Sequence, residues 1–278
     1  PPFPEQNTKM NQAKQVRTLT EQEIIRREAL QQLRELGIDP YPAEAFEVNS
    51  SAKHIKENYT EDQKDQFQNI SLAGRIMTKR VMGKASFAEL KDSTGRIQLY
   101  VNRDEIAPGE DKTLYNTVFK KLLDLGDYIG VKGYVFTTKM GEITLHVREL
   151  KVLSKSLRPL PVVKKTVDPG TGKEVIHDAF SNPELRYRRR YLDLIVNDGV
   201  KETFVTRSRI ITAMRRYFDD HGWLEVETPV LQSVQGGAAA RPFKTHHNTL
   251  DRPYFLRIAN EIYLKKLIVG GFEGVYES

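Results

Sequence analysis

The sequence predicts an α+β protein of more than one domain, in which a helix and a small β-barrel precede an α/β region. Three observations lead to this prediction. Residues 20–37 carry the capping signals and apolar spacing of a helix, residues 70–153 alternate with a period of two, and residues 203–278 return to helices between short strands. A length of 278 residues suits two domains better than one.

The composition favours a soluble protein and excludes several kinds of site. Lys and Arg number 43 against 37 Asp and Glu, which gives a net charge of +6. This excess permits phosphate binding without requiring it. The sequence contains no cysteine, which excludes disulfides, thiolate zinc sites and cysteine nucleophiles. Because no apolar run has the length of a membrane span, we expect a cytoplasmic protein with no membrane partner.

Residues 1–18 are expected to form a disordered tail, and residues 19–67 an N-terminal helical extension. Thr20 and Glu23 form a capping box, and Gly37 stands where a left-handed cap ends the helix. The residues predicted to face inward are Ile25, Ala29, Leu33 and Leu36. Those predicted to face outward are Arg26, Arg27 and Arg34. This basic face is either simply solvated or lies along nucleic-acid phosphates.

Residues 68–153 have the element order of an OB-fold, a small Greek-key barrel. The predicted elements are strands 70–80, 86–91 and 96–101, a helix 113–123, and strands 128–138 and 143–150. Three strands, a helix and two strands are typical of this fold. The rival is an SH3-like barrel, which usually lacks the central helix.

Alternation along the second and third strands separates a core face from a polar outer face. The predicted core face is Ala88, Leu90, Ile97, Leu99 and Val101. Phe87 and Gln98 point the other way. The following hairpin repeats the pattern, with Glu142, Thr144, His146 and Arg148 on its outer face. An aromatic ring among polar groups suits base stacking, and an amide suits reading a base edge. The alternative, equally compatible with the pattern, is that a neighbouring element covers Phe87 as a second core.

Residues 154–184 are interpreted as a linker because they are rich in proline and glycine without clear periodicity. Residues 185–278 then alternate helix and strand. The predicted elements are a helix 203–221, strands 223–229 and 254–258, a helix 262–269 and a strand that begins at 272. Because the last strand stops at the end of the sequence, we expect a domain truncated at its C-terminus. The sequence contains none of the Walker A, GxGxxG, GxSxG or HExxH motifs, so any nucleotide chemistry must use another fold.

Three further features have more than one interpretation. A basic cluster, Arg186, Arg188, Arg189 and Arg190, either contacts phosphates or pairs with acidic groups at a domain junction. His246 and His247 face opposite sides of a strand, which favours structural hydrogen bonds over a metal site. Glu261 opens a helix, where a carboxylate either favours the helix dipole or holds an ammonium group.

Several segments together resemble one family. GRIMTKRVMGKASFAELKDSTGRIQLYV resembles the OB-fold anticodon-binding domain of bacterial-type lysyl-tRNA synthetases. ELRYRRRYLDL resembles the junction that these enzymes share with their aspartyl and asparaginyl relatives, and HGWLEVETPVLQ resembles motif 1 of class II synthetases. QGGAAARPFKTHHN and YFLRIANEIYLKKLIVGGFEGVYE are similar to the lysine-specific version. The resemblance extends from about residue 19 to residue 277.

The resemblance implies an enzyme that ligates lysine to tRNA(Lys) through lysyl-adenylate, with ATP and Mg²⁺, as a cytoplasmic homodimer. It implies that residues 185–278 begin an antiparallel catalytic domain and stop inside motif 2. This chain would then be a fragment that keeps anticodon binding and lacks the metal ligands, which are expected beyond Ser278. The alternative is a stand-alone OB-fold tRNA-binding module without ligase activity.

The resemblance also implies roles for individual residues. The predicted anticodon-binding residues are Arg80, Phe87, Gln98 and Glu142. Gly237 and Glu261 correspond to positions that contact the amino groups of lysine, and Pro229 is the hallmark proline of motif 1, at which the dimer forms. Ala239 stands where the family commonly has serine, so one hydroxyl contact would be missing.

Overall fold

The computed structural model describes residues 18–161, 164–167, 174–177, 180–234 and 239–278. The chain divides into two units between Asp178 and Ala179. Residues 1–17 of the predicted tail and parts of the predicted linker lie outside the described residues.

The first unit contains a closed five-stranded barrel preceded by helices. Its elements are α1 (Glu21–Glu35), α2 (Ala52–Asn58), a 3₁₀ turn (Glu61–Phe67), β1 (Ile70–Met82), β2 (Ala85–Lys91), β3 (Arg96–Asn102), α3 (Arg103–Ile106), a π-helix (Leu114–Leu122), β4 (Tyr128–Thr137), β5 (Ile143–Ser154) and a hairpin of β6 (Lys164–Val167) and β7 (Glu174–His177). The barrel strands follow the order β1-β2-β3-β5-β4, with β3 and β5 parallel and the other pairs antiparallel. This arrangement confirms the predicted OB-fold.

The barrel closes around the predicted core face. Ala88, Leu90, Ile97, Leu99 and Val101 are all at most 3% exposed. Side chains from β1, β4, β5 and the π-helix complete this core, which therefore draws on every strand of the barrel. Gly133 lies at the bulge between β4 and β5, where a Cβ atom would come within 1.8 Å of the His146 carbonyl oxygen. Only glycine fits this close backbone approach.

The helix between β3 and β4 is wider than the α-helix that its spacing predicts. The Leu123 amide donates to the carbonyl of Val118, five residues earlier, at 2.9 Å. Lys79, on β1, places its ammonium at the end of this helix and donates to the carbonyls of Phe119 at 3.1 Å, Lys120 at 3.2 Å and Leu123. Burial lowers the pKa of Lys79. The lysine thus satisfies carbonyls that a helix end leaves without partners.

Helix α1 begins and ends as predicted, and Ala29 and Leu33 are buried as predicted, but the rest of its buried face differs. Thr20 and Glu23 form the capping box, and Gly37 has a φ of +74°. Ile25 and Leu36, which were expected inside, are each 43% exposed, whereas Arg26 is 5% exposed. The prediction of an outward-facing Arg26 was wrong because its guanidinium donates to the Ser156 carbonyl at 2.9 Å and the Leu125 carbonyl at 3.0 Å. Apolar spacing does not reveal such backbone acceptors.

The second unit combines helices with two short sheets. Its elements are α4 (Pro183–Arg188), α5 (Arg190–Val196), α6 (Val200–Asp220), β8 (Leu224–Glu225), β9 (Leu231–Gln232), β10 (Lys244–His247), a 3₁₀ turn (Asn248–Leu250), β11 (Arg252–Leu256), α7 (Glu261–Val269) and β12 (Val275–Tyr276). β10, β11 and β9 form an antiparallel sheet, as the resemblance implied, whereas β8 and β12 pair in parallel.

The strand predicted over residues 223–229 is much shorter than expected. Leu224 pairs with Val275, and Glu225 pairs with Tyr276. Beyond this point Thr228 turns to the side chain of Glu277, to which its amide donates at 3.1 Å. Pro229 follows without an amide hydrogen, so it cannot donate to a ladder. A side-chain acceptor and a proline therefore end the strand.

Candidate functional site

The four predicted anticodon-binding residues come together at one cleft on the outside of the barrel. The cleft has a volume of about 510 Å³. Its lining includes Arg80 from β1, Phe87 from β2, Gln98 from β3 and Glu142 from the turn between β4 and β5. These residues are spread over 63 positions of sequence, from 80 to 142, and barrel closure is what brings them to one surface.

Phe87 lies on the outer face of β2 between Arg80 and Tyr100 in the register of the strands. It is partly exposed and lines the cleft. Its ring centroid is 5.2 Å from that of Tyr100, with the two planes tilted by 55°. The structure therefore favours an outer-face ring over a second core, which is the arrangement that base stacking requires.

Gln98 is held by a hydrogen bond across the β3–β5 pair. Its Nε2 donates to Thr144 Oγ1 at 3.1 Å, and Thr144 Oγ1 donates in turn to the Glu142 carbonyl at 3.1 Å. Thr144 has no exposed surface, although alternation predicted an outer position for it. Its neighbours in register are Gln98 on β3 and Phe136 on β4.

Both carboxylates of the cleft have a cationic partner. Lys56 Nζ of α2 lies 3.4 Å from Glu142 Oε1, and Arg96 Nη1 lies 3.4 Å from Glu89 Oε2. The sequence did not predict Lys56 as a cleft residue, because it is 86 residues from Glu142 and belongs to a different element. Met140, also missed, is 94% exposed at the tip of the hairpin that lines the cleft.

A row of rings continues from Phe87 around the outside of the barrel. Tyr100 lies next to Phe87, and the ring centroids of His146 and Tyr100 are 4.8 Å apart. His146, predicted on the outer face, is only 9% exposed because Tyr100, Tyr134 and Phe136 surround it. Burial lowers the pKa of His146, against the opposing effect of Glu105, whose Oε1 lies 3.0 Å from Nε2.

The basic cluster of residues 186–190 is partly committed to a buried acidic group. Asp193, which has no exposed surface, accepts from Arg186 Nε at 2.8 Å and from Arg190 Nη1. Asn197 donates to the same carboxylate at 2.7 Å. Burial alone would raise the pKa of Asp193, but the hydrogen bonds from Asn197 and Arg186 lower it. The acidic-pair interpretation therefore applies to Arg186 and Arg190, within the second unit.

The predicted lysine-binding residues are described only in part. Gly237 lies outside the described residues, whereas Ala239 is exposed. Glu261 begins α7 and receives a hydrogen bond from Lys265 Nζ at 2.5 Å. This contact lowers the pKa of Glu261. The carboxylate at the helix start therefore already holds an ammonium group.

Near the start of α7, Glu277 forms a cluster that the sequence did not reveal. It accepts from Asn260 Nδ2 at 2.8 Å, from Thr228 Oγ1 at 2.8 Å and from Arg257 Nη1 at 2.9 Å. These contacts, with Asn260 the largest, lower the pKa of Glu277 to about 2. The cluster links the segment before Pro229 to the start of α7, and Pro229 itself is exposed.

The histidines of β10 make local hydrogen bonds, as favoured from the sequence. His246 Nε2 lies 3.1 Å from Asp251 Oδ1, and the Leu250 amide donates to His247 Nδ1 at 3.3 Å. Across the described ranges, no three His, Asp or Glu side chains stand close enough together to hold a metal ion. Among the same residues, no helix is both long and apolar enough to span a bilayer.

Comparisons with known proteins match both parts of the chain. Residues 70–153 match the OB-fold nucleic acid binding domain family, and residues 182–278 match the tRNA synthetases class II (D, K and N). The chain is 58% identical over 259 residues to a lysine–tRNA ligase of Porphyromonas gingivalis, which covers 93% of this chain and 44% of that protein.

Two further relatives carry the same name. A lysine–tRNA ligase of Azobacteroides pseudotrichonymphae is 56% identical over 93% of this chain and 50% of its own length. One of Christiangramia forsetii is 55% identical over 96% of this chain and 45% of its own length. The chain therefore spans about half the length of the curated relatives it matches.

Proposed function

We propose that the barrel of this chain, which belongs to the class II lysyl-tRNA synthetases, binds the anticodon loop of tRNA(Lys). The parent protein would be a lysine–tRNA ligase. One observation carries the proposal: Arg80, Phe87, Gln98 and Glu142 converge on a single cleft. The match of residues 70–153 to an OB-fold nucleic acid binding domain supports it.

Each side chain of the cleft has a role that its chemistry suits. Phe87 offers a ring on which a base stacks, which gives affinity with little dependence on sequence. Gln98 and Glu142 offer polar atoms to the edge of an unstacked base. Arg80 is exposed and positions the loop through its phosphates. Lys56, which now pairs with Glu142, is a second cation available to phosphate.

Binding of an RNA hairpin that carries the anticodon loop of tRNA(Lys) tests this proposal. We expect Phe87→Ala to weaken binding by about 1–3 kcal/mol, the contribution of one base stack. Tyr41→Ala is the matched control, because Tyr41 is 42% exposed on the same unit but lies outside the cleft. Fluorescence anisotropy measures both. Unchanged affinity of a folded Phe87→Ala variant would remove this ring from the interface.

The second unit, in this proposal, begins the site that activates lysine. Glu261 supplies the carboxylate that selects an ammonium group, since an opposite charge discriminates lysine from neutral amino acids. The side-chain ammonium of the substrate would displace Lys265, whose Nζ donates a hydrogen bond to the Glu261 carboxylate in the free chain. Gly237, outside the described residues, is proposed to contact the amino groups of lysine, as the family resemblance implies.

Lysine-dependent ATP–pyrophosphate exchange by the full-length protein tests Glu261. We expect Glu261→Gln to abolish activation of lysine while the fold is retained, because the ammonium loses its charged partner. Glu273→Gln, at an exposed position of the same unit, is the control. Preserved KM for lysine and preserved kcat would leave Glu261 with no role beyond starting the helix.

We also propose that the protein is a homodimer that uses ATP and Mg²⁺. The apolar side of α6 is open, with Ile210 55% and Met214 52% exposed, which supports a homodimer formed through α6 and the Pro229 segment. ATP, with Mg²⁺, would supply the adenylate that activates lysine. The described residues do not provide a metal site. A cytoplasmic location belongs to the same proposal.

A further inference from the structure

We propose that Thr144 is a positioning residue of the cleft: its buried hydroxyl fixes the amide of Gln98 so that the oxygen Oε1, and not the nitrogen Nε2, faces a bound base. This inference rests on the proposed binding of RNA in the cleft. It adds a residue that does not itself line the cleft.

Strand pairing decides where Thr144 lies. Its register partner on β3 is Gln98, and its partner on β4 is Phe136. With no exposed surface, Thr144 has no access to solvent or to a ligand. A buried hydroxyl must find its hydrogen-bond partners within the protein, and Thr144 finds them in two groups at the cleft.

The hydrogen-bond inventory of Thr144 sets the orientation of the amide. A hydroxyl has one hydrogen to donate, and Thr144 donates it to the Glu142 carbonyl at 3.1 Å. The oxygen is then an acceptor toward Gln98, whose Nε2 donates to it at 3.1 Å. The Glu142 carbonyl also accepts from the Thr138 amide at 3.0 Å, so the hydroxyl could turn and donate to Oε1 of a reversed amide, but only by giving up its own bond to that carbonyl. The observed orientation thus has one hydrogen bond more than the reversed one. Thr144 therefore turns Oε1 toward the cleft.

The orientation matters because the bases differ at the centre of their Watson–Crick edges. Uracil N3 and guanine N1 carry a hydrogen there, whereas adenine N1 and cytosine N3 are acceptors. An amide oxygen accepts only, so Gln98 in this orientation favours uracil or guanine. The carboxylates of Glu89 and Glu142, which line the same cleft, are also acceptors. A reversed amide would favour the other two bases.

The test uses the full chain and RNA hairpins that differ in one loop base. We expect the unmodified chain to prefer uracil or guanine over adenine or cytosine by about tenfold at the position that Gln98 reads, the effect of one mismatched hydrogen bond. Thr144→Val keeps the shape and removes the hydroxyl, so the preference should fall below about threefold. Thr144→Ser keeps the hydroxyl and should keep the preference.

Two results separate this inference from the proposed function. If the unmodified chain shows the preference and a folded Thr144→Val variant keeps it in full, Thr144 does not position Gln98, while RNA binding stands. If no hairpin binds at all, the proposed function fails instead, and the orientation is then decided without RNA.

Nuclear magnetic resonance of the Gln98 side-chain amide provides that decision. Its Nε2 hydrogens should show cross-relaxation to the methyl group of Thr144 and slow exchange with water in the unmodified chain and in Thr144→Ser. In Thr144→Val the cross-relaxation to the side chain at position 144 should be lost, and the exchange of the amide hydrogens with water should become fast. Fast exchange and no cross-relaxation in the unmodified chain would overturn the inference.

Discussion

In the barrel unit the buried side chains of the core are mostly aliphatic and aromatic and come from all five strands of the barrel. In the described part of the second unit, by contrast, the buried hydrophobic residues are Val200 and Tyr276, and the polar residues Asp193, Thr228 and Gln232 are buried as well. The barrel is therefore stabilised mainly by a closed apolar core. The second unit depends more on polar clusters centred on carboxylates.

The long helix α6 shows the same contrast. Its sequence has an apolar stripe, as a helix that covers a core should have. Yet Phe204, Ile210, Met214 and Tyr217 are each between 46% and 58% exposed. The stripe is thus available to another surface, whereas the apolar faces of the barrel strands are already covered.

The largest effect that we expect is a loss of stability when an apolar side chain is shortened in the barrel, compared with a similar change in the second unit. Leu99→Ala should lower the free energy of unfolding of the barrel by about 2–5 kcal/mol, because Leu99 is completely buried and its removal leaves a cavity. Val269→Ala, at a position of the second unit that is 88% exposed and lies outside α6, should change stability by no more than about 0.5 kcal/mol. Urea unfolding followed by circular dichroism measures both.

Tryptophan fluorescence sharpens this experiment. The chain has one tryptophan, Trp223, which stacks on Phe218 at 5.4 Å in the second unit. Its emission therefore reports on the second unit alone. A Leu99→Ala variant that shifted the Trp223 transition as far as the circular dichroism transition would show that the two units unfold together and are not stabilised separately.

An intermediate effect is expected where the barrel unit itself relies on a buried charge. Arg26→Ala removes the donor to the partly buried carbonyls of Ser156 and Leu125. We expect a loss of about 1–3 kcal/mol in stability to urea. Arg34→Ala, on an exposed position of the same helix, should cost no more than about 0.5 kcal/mol. Equal losses of stability in the two variants would show that Arg26 contributes no more than an exposed arginine of the same helix.

The smallest effect concerns the response of the second unit to acid. The pKa of Glu277 falls from 4.5 to about 2 on folding, through Asn260 first and Thr228 next. A carboxyl with a depressed pKa stabilises the fold above its unfolded pKa, and this contribution is lost as pH falls from about 4.5 toward 2. Glu277→Gln should lack this component, so the Trp223 fluorescence should depend less steeply on pH in that window. Glu273→Gln should titrate like the unmodified chain, and an identical profile for Glu277→Gln would contradict the role assigned to the cluster.

The barrel was the part most completely predicted from sequence. Strict alternation identified the core face of β2 and β3, because residues two apart on a strand share a face. The order of strands and helix then indicated the OB-fold. Capping chemistry placed both ends of α1, since Thr20, Glu23 and Gly37 act through neighbours along the chain.

Alternation failed where a second layer covers a nominally outer face. Thr144 and His146 alternate correctly with Leu145 and Val147, yet all four are buried. The rings of Tyr100, Tyr134 and Phe136 cover His146 from neighbouring strands. A period of two tells which side of a strand a residue takes, but not what lies above that side.

By itself the sequence determined the local and periodic features of this protein: helix caps, strand faces and the barrel order. Tertiary structure alone decided which distant groups meet. It brings Lys56 to Glu142, Arg26 to the barrel carbonyls and Glu277 to Asn260. The physical reason is range. Backbone propensity and alternation act over a few residues, whereas hydrogen bonds between charged and carbonyl groups depend on distances that only the closed fold sets.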